Sequence, residues 1–177
     1  GTIGIALSSR AKKVIGVELN SQAVKDAQTN ADLNHIKNIQ FVNEDAGDFL
    51  VRYAEGGKAD VVIMDPPRSG STPEFLQSLL QIKPKRIVYI SCNPETQVRD
   101  IRVLQKGGYK VEACEGYDMF PHTFHVETVV KLSLKKDTPK IEVTMEPDEK
   151  SNYTPEELIK FRMLLCCCKV LILDLLI

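Results

Sequence analysis

Cys92 lies where an apolar run ends and a helix is predicted to begin. In the stretch YISCNPETQVRD, residues 89–100, the thiol directly precedes Asn93 and Pro94, a helix N-cap followed by proline at the first helical position. The dipole and unpaired amides of such a helix stabilise a thiolate in front of it. A lone cysteine is more often a small buried hydrophobe, but this position favours a nucleophile. Cys114, within a predicted strand, lacks such a helix.

An acid in a valine-rich stretch is the second candidate. Glu127 belongs to DMFPHTFHVET and follows His122 and His125 near the start of a predicted strand. Val126 and Thr128 alternate with it, so its side chain points to one face of that strand. The carboxylate either reaches solvent at an edge position or acts as a general base in a largely dry pocket.

Two further acids end predicted strands and suit a nucleotide. Glu18 ends the second strand of a nucleotide-binding pattern that has Gly1 and Gly4 upstream, about where a carboxylate accepts both hydroxyls of a ribose. Asp45 comes at the next strand's end, a position suited to an adenine edge. Each has a structural alternative, a solvated strand-end carboxylate for Glu18 and a turn-forming aspartate for Asp45.

The segment DPPRSG begins with Asp65 directly after an apolar run. Its two prolines stop the ladder of that strand and fix an extended, rigid backbone. The carbonyls and the preceding carboxylate would then face the crevice at the end of the sheet. A structural turn is the alternative, but strand, acid and double proline together favour a site.

An alternation of strands and helices positions these residues. Apolar runs predict strands at Val14–Leu19, Ile39–Val42, Asp60–Met64 and Arg86–Ser91, with helical periodicity between them. This pattern is typical of an α/β fold with a mostly parallel sheet, which binds ligands at its carboxyl edge. Two later runs, Tyr109–Glu115 and His125–Leu134, are too close together for a helical crossover and predict an antiparallel hairpin.

Both ends of the chain depart from this pattern. Gly1–Leu7 is typical of a glycine-rich turn entering a helix, but no strand precedes it, so we expect a fragment whose first strand is missing. We expect a catalytic domain at residues 1–135, followed by an extension at 136–177 with a helix capped at Thr154. For the final LLCCCKVLILDLLI, a helix docked on the core and an appended or oligomerising tail remain open, and we assign it no chemistry.

Composition narrows the class of protein. The 177 residues suit one domain, and a net charge of −1 gives no sign of a polyanion-binding protein. The five cysteines have no CxxC pairing or regular spacing, which argues against a disulfide or zinc framework. A reducing cytoplasm fits best, and the first residues do not resemble a signal peptide.

The motifs GTIGIAL, VIGVELN, DPPRSG, SCNPETQVRD and DMFPHTFHVET, in this order, resemble the S-adenosylmethionine-dependent RNA uracil-C5 methyltransferases, which modify ribosomal or transfer RNA. The resemblance covers Gly1 to about Leu134. It implies a Rossmann-like class I methyltransferase fold with an antiparallel strand from the later hairpin. It also implies S-adenosylmethionine as cofactor and no metal. The implied cofactor-binding positions are Thr2, Glu18, Asp45 and Asp65.

The same resemblance implies that Cys92 is the nucleophile, Glu127 the base, and Asp65 a further contact to the target uracil. The implied partner is RNA, with 23S ribosomal RNA expected ahead of transfer RNA, and the target uridine must be unpaired or flipped out. Family members carry upstream regions, often with an OB-like RNA-binding domain, that are absent from this sequence. We therefore expect weakened cofactor binding and RNA recognition.

Two other classes of methyltransferase and a non-catalytic module are alternatives to this family. Methyltransferases that act on exocyclic amines place an aromatic ring after a similar Asp-Pro-Pro, where this chain has Arg68. DNA cytosine-C5 methyltransferases place their cysteine after the strand that here ends at Asp65, whereas Cys92 follows the next strand. A non-catalytic RNA-binding or assembly module on the same fold remains the alternative from another class.

Overall fold

The computed structural model describes residues 1–135 and 170–175. Its helices are α1 Thr2–Leu7, α2 Ser21–Leu33, α3 Ala46–Tyr53, α4 Pro73–Ile82 and α5 Pro94–Lys106, with a 3-10 turn at Ser8–Arg10. Its strands are β1 Ala11–Glu18, β2 Ile39–Asn43, β3 Val61–Met64, β4 Arg86–Ser91, β5 Tyr109–Tyr117, β6 Glu127–Leu134 and β7 Val170–Leu175.

One mixed sheet contains these strands in the order β2-β1-β7-β3-β4-β6-β5. β1 pairs with β2 and β3 with β4 in parallel, as the α/β pattern predicts. β6 is antiparallel to both β4 and β5, which confirms the predicted hairpin. The carboxyl ends of the parallel strands therefore meet the amino end of β6 at one edge of the sheet.

The terminal strand β7 lies in the middle of the sheet, antiparallel to both β1 and β3. A helix is therefore the wrong interpretation for Val170–Leu175. Residues 170–173 are at most 4% exposed. A strand buried on both faces is a continuous apolar run, which periodicity alone does not distinguish from a buried helix. The predicted helix at Thr154 lies outside the described residues.

β7 joins the two hydrophobic layers of the molecule. Val170 and Ile172 contribute to the larger core, which α3, α4 and α5 cover. Leu171 and Leu173 point to the other face and pack in the cluster that contains Ile3 of α1. In the described part of the chain no strand precedes α1, and β7 fills the place between β1 and β3.

Side-chain caps start four helices at or near the carboxyl edge. Asn20, Asp45, Thr72 and Asn93 each accept hydrogen bonds from backbone amides in the first turn of the helix that follows. The predicted Asn-Pro start of α5 is confirmed, and α4 begins in the same way with Thr72 and Pro73. These caps fix where each helix leaves its loop, and so they set the geometry of the loops that carry the candidate residues.

Candidate active site

The register of β4 and β6 brings Cys92 and Glu127 together. The last pair of this antiparallel ladder is Ser91 with Thr128. Cys92 is the next residue after Ser91, and Glu127 is the residue before Thr128, so the two occupy opposed positions at the edge of the sheet. Residues opposed in an antiparallel ladder lie about 4.5–5.5 Å apart at their Cα atoms. Strand register thus places the two residues one position beyond the last pair of this ladder, at the same edge of the sheet.

Cys92 remains half-buried at the entry to α5. Ser91 Oγ accepts a hydrogen bond from the Asn93 amide at 3.0 Å and lies 3.0 Å from the Asn93 carbonyl oxygen. The Asn93 side chain then accepts from the Glu95 amide at 3.2 Å. These bonds form a tight turn that holds the thiol in front of the helix N-terminus, as the motif predicts.

Glu127 is the first residue of β6 and is 9% exposed, so the dry-pocket interpretation of this acid fits better than a solvated edge. Its neighbour Thr128 donates a hydrogen bond to Gln97 Oε1 at 2.7 Å. Gln97 Nε2 in turn donates to the Tyr89 carbonyl at 3.0 Å. The start of β6 is therefore tied both to α5 and to the strand that delivers Cys92.

The DPPRSG loop contacts the first turn of α5 on one side and the loop between β5 and β6 on the other. Asp65 follows β3 and is half-buried. The Arg68 carbonyl accepts from Asn93 Nδ2 at 2.9 Å and from Thr96 Oγ1 at 3.1 Å, which binds the loop to the first turn of α5. On the other side, Arg68 Nη2 lies 3.2 Å from Nδ1 of His125, in the β5–β6 loop.

A buried carboxylate on α5 also holds this loop and was not among the predicted residues. Asp100 is 0% exposed and accepts hydrogen bonds from the Ser71 amide and the Tyr89 hydroxyl, both at 2.7 Å. Arg99 Nη2 lies 2.7 Å from Asp100 Oδ1. A sequence signal for Asp100 exists. Gln97, Asp100, Ile101 and Leu104 follow the i, i+3, i+4, i+7 spacing of an inward helix face, and two of these four residues are polar.

Burial also changes the pKa of Tyr89, whose hydroxyl donates to Asp100. Burial, followed by the hydrogen bond and the charge of Asp100, raises the pKa of Tyr89 well above its usual range. The hydroxyl therefore keeps the proton that it donates to Asp100.

The remaining predicted residues lie at the same edge but in different settings. Glu18 ends β1, is 6% exposed, and accepts a hydrogen bond from the Asn20 amide at 2.8 Å through Oε1. Asp45 is exposed and caps α3 by accepting from the Gly47 amide at 2.7 Å, which matches the turn-forming alternative. Thr2 is exposed at the start of α1.

A cleft of about 420 Å³ lies at this edge, and of the predicted site residues Asp45 lines it. Asp45 lines one side of it, Pro66 and Pro67 line another, and Phe75 and Val170 contribute apolar surface. A larger cleft of about 770 Å³ lies at the opposite edge of the sheet, among lysines and Asp60, and none of the candidate residues lines it. The smaller cleft is therefore the one that lies at the same edge of the sheet as the candidate residues.

Residues 1–135 and 170–175 contain neither a candidate metal site nor a candidate membrane span. No three or more His, Cys, Asp or Glu side chains there form a group that could hold a metal ion. No helix in those ranges is long and apolar enough to cross a membrane.

Comparisons with known proteins agree with the motifs. Residues 1–135 match the family described as tRNA (uracil-5-)-methyltransferase. The chain is 47% identical over 132 residues to an uncharacterized RNA methyltransferase of Thermotoga maritima, covering 75% of this chain and 30% of that protein. It is likewise 47% identical over 136 residues to an uncharacterized RNA methyltransferase of Halalkalibacterium halodurans, covering 76% and 30%.

A solved structure is similar in fold as well as in sequence. It is the Pyrococcus abyssi tRNA (uracil-54, C5)-methyltransferase in complex with S-adenosyl-L-homocysteine, with a TM-score of 0.63 and 38% identity over 75% of this chain and 31% of that one. This similarity confirms the predicted Rossmann-like class I methyltransferase fold. The chain spans about 30% of the length of the curated relatives that it matches. From the family match over residues 1–135 and these similarities, the chain belongs to the tRNA (uracil-5-)-methyltransferase family.

Proposed function

We propose that residues 1–135, together with the strand β7, form the catalytic domain of an RNA uracil-C5 methyltransferase that uses S-adenosylmethionine. The observation that carries the proposal is the opposed placement of Cys92 and Glu127 at the carboxyl edge of the sheet, next to the DPPRSG loop. Family membership supports the reaction class. The half-buried thiol and the 9% exposed carboxylate supply the two groups that this chemistry needs.

The residues at this edge fit the proposed cofactor. Glu18 offers a buried carboxylate for the ribose hydroxyls, and only its Oε1 accepts a bond from the Asn20 amide. The cleft between Asp45 and the double proline falls in the size range of small-molecule sites and has apolar walls suited to an adenine ring. We assign Thr2 and Asp65 to the same binding surface. S-adenosylmethionine supplies an electrophilic methyl group at its sulfonium.

Cys92 provides the activation of the target base. Uracil C5 is a poor nucleophile, because the π electrons of the C5–C6 bond are delocalised over the ring. When the Cys92 thiolate adds to C6, a carbon–sulfur bond forms and the C5–C6 electron pair becomes an enolate that makes C5 nucleophilic. Cys92 lies directly before the N-terminal turn of α5, which begins after Asn93. C5 would then take the methyl group as the sulfur–methyl bond breaks and S-adenosylhomocysteine leaves, so that C5 carries both the methyl group and its original proton.

Glu127 completes the reaction. Its carboxylate removes the C5 proton, the resulting electron pair restores the C5–C6 double bond, and the bond from C6 to Cys92 breaks to return the thiolate. Glu127 is 9% exposed, so the carboxylate lies largely out of bulk water. Without the Glu127 carboxylate, the methylated uracil should stay attached to Cys92.

The proposed substrate is a uridine in RNA that is unpaired or flipped out, because a stacked base in a stem does not admit a thiol to C6. The expectation of 23S ribosomal RNA comes from the motif resemblance. The family description and the Pyrococcus abyssi enzyme both name transfer RNA instead. Mapping 5-methyluridine in both RNA classes, from cells with and without the gene, decides between them.

The covalent step is tested with the complete protein as its gene encodes it. RNA substituted with 5-fluorouridine has no C5 proton to remove, so an active enzyme should accumulate a methylated protein–RNA adduct on a denaturing gel. Cys92→Ala should abolish the adduct. Cys114→Ala is the matched control, because Cys114 is exposed on β5 and does not border the site. Cofactor-bound wild-type protein that forms no adduct would favour the non-catalytic module.

A further inference from the structure

Asp100 is a buried carboxylate whose partners come from three parts of the chain. The Tyr89 hydroxyl donates from β4, the Ser71 amide donates from the loop after β3, and Arg99 donates from α5 itself through Nε at 2.9 Å and Nη2 at 2.7 Å. Asp100 thus joins the strand before Cys92 to the loop that contains Asp65.

A charge in this position costs stability in itself. Removing a carboxylate from water is expensive, and a buried ion pair is often no more stabilising than apolar residues of similar volume. The neighbours of Asp100 on the inward face of α5, Ile101 and Leu104, are such apolar residues. The directed hydrogen bonds of Asp100 therefore supply geometry that another leucine would not.

The geometry in question is that of the segment Ser69–Ser71. Arg99 Nη2 donates to the carbonyls of Ser69 and Ser71, each at 3.1 Å, while Asp100 accepts from the Ser71 amide. Gly70 between them has a φ of +77°, and a Cβ there would lie 2.5 Å from Arg99 Nη2 and 2.9 Å from Asp100 Oδ2. The backbone is consequently held on both sides, with no room for a side chain.

This anchor is rigidly linked to the proposed site at both ends. Pro66 and Pro67 limit the conformations of the loop between Asp65 and the anchored segment. Tyr89 lies three residues before Cys92, with its side chain 0% exposed in β4. A shift at Asp100 therefore has a short path to Asp65 and to the thiol.

We propose that Asp100, through Arg99, is a positioning residue that holds the DPPRSG loop at the separation from Cys92 that uracil methylation requires. The inference rests on the function proposed above. It assigns Asp100 no contact with substrate or cofactor, and it treats α5 as the part that both presents the thiol and aligns the loop facing it.

The test is single-turnover adduct formation by the complete protein on 5-fluorouridine RNA with saturating S-adenosylmethionine. The amplitude reports the fraction of folded, competent protein, and the rate constant reports the alignment of the reacting groups. Asp100→Asn keeps the volume but turns an NH₂ group toward existing donors. Arg99→Lys keeps the charge but loses the fork that reaches two carbonyls, and Arg99 is half-exposed, so this variant should fold.

Leu104→Ala is the matched control. Leu104 is 0% exposed and lies one turn after Asp100 on the same helix face. Its truncation should weaken the fold without removing a polar contact to the loop. We expect Asp100→Asn to lower the rate constant by about 10- to 100-fold, as for a misplaced reacting group, with the amplitude set by its folded fraction. Arg99→Lys should lower it by a smaller factor. Leu104→Ala should lower thermal stability and leave the rate constant within about twofold of wild type.

Two results would overturn the proposal while leaving the proposed function intact. One is wild-type rate constants for both Asp100→Asn and Arg99→Lys. The other is a loss in Leu104→Ala that equals the loss in Asp100→Asn, which would mean that general destabilisation explains both. If Asp100→Asn does not fold, the Arg99→Lys rate constant alone decides. A wild-type protein without any adduct would instead refute the proposed function, and this inference with it.

Discussion

Because β7 occupies the middle of the sheet, we expect truncation of its buried side chains to lower the free energy of unfolding substantially. Leu171 and Ile172 are each 1% exposed and point to opposite faces, into the two hydrophobic clusters. Truncating either to alanine removes roughly three buried carbons, worth about 0.8 kcal/mol each in transfer free energy. The remaining cavity adds to this cost, so each variant should lose about 2–5 kcal/mol of unfolding free energy.

Urea unfolding followed by circular dichroism measures this loss. Val98→Ala is the control, since Val98 is 48% exposed on α5 and should change the unfolding free energy by no more than about 0.5 kcal/mol. The stability of a domain is only about 5–15 kcal/mol, so combining Leu171→Ala with Ile172→Ala should approach complete unfolding. If both single variants unfold like Val98→Ala, β7 does not lie between β1 and β3 and the sheet order is wrong.

Two further predictions concern single residues at the carboxyl edge. Glu18→Ala should weaken the binding of S-adenosyl-L-homocysteine by about tenfold or more, because hydrogen bonds to a charged group contribute about 1.5–3 kcal/mol; titration calorimetry measures it, and unchanged affinity would remove Glu18 from the cofactor site. Gly70→Ala should destabilise the fold by about 1–3 kcal/mol in urea unfolding, since its φ of +77° is strained for alanine and its Cβ would overlap Arg99; wild-type stability would contradict the observed packing.

Local signals in the sequence predicted the parts of the fold that local chemistry determines. β4 has its predicted bounds, Arg86–Ser91, because an apolar run ends there at a polar turn and a proline-capped helix. The hairpin followed from the short separation of two strands. The hairpin needed only this local signal, because β5 and β6 follow each other in the sequence. The opposed positions of Cys92 and Glu127 come from the register between β4 and β6, which the hairpin alone does not set.

What local signals did not predict depends on contacts between distant segments. β7 pairs with β1 across more than a hundred and fifty residues, and its apolar letters fit a buried helix equally well. Asp100 looks like an ordinary polar residue of α5 until Tyr89 and Ser71 are placed around it. Arg99 looks like an ordinary surface cation of α5 in the sequence, but it contacts Asp100 and two loop carbonyls.

The most direct test of the proposed pairing of thiol and base is the Glu127→Gln variant of the complete protein on ordinary RNA with S-adenosylmethionine. We expect a protein–RNA adduct that carries the transferred methyl group and is stable to denaturation, because the C5 proton is not removed. Glu127→Gln combined with Cys92→Ala should give no adduct. Release of 5-methyluridine by Glu127→Gln at the wild-type rate would contradict the account.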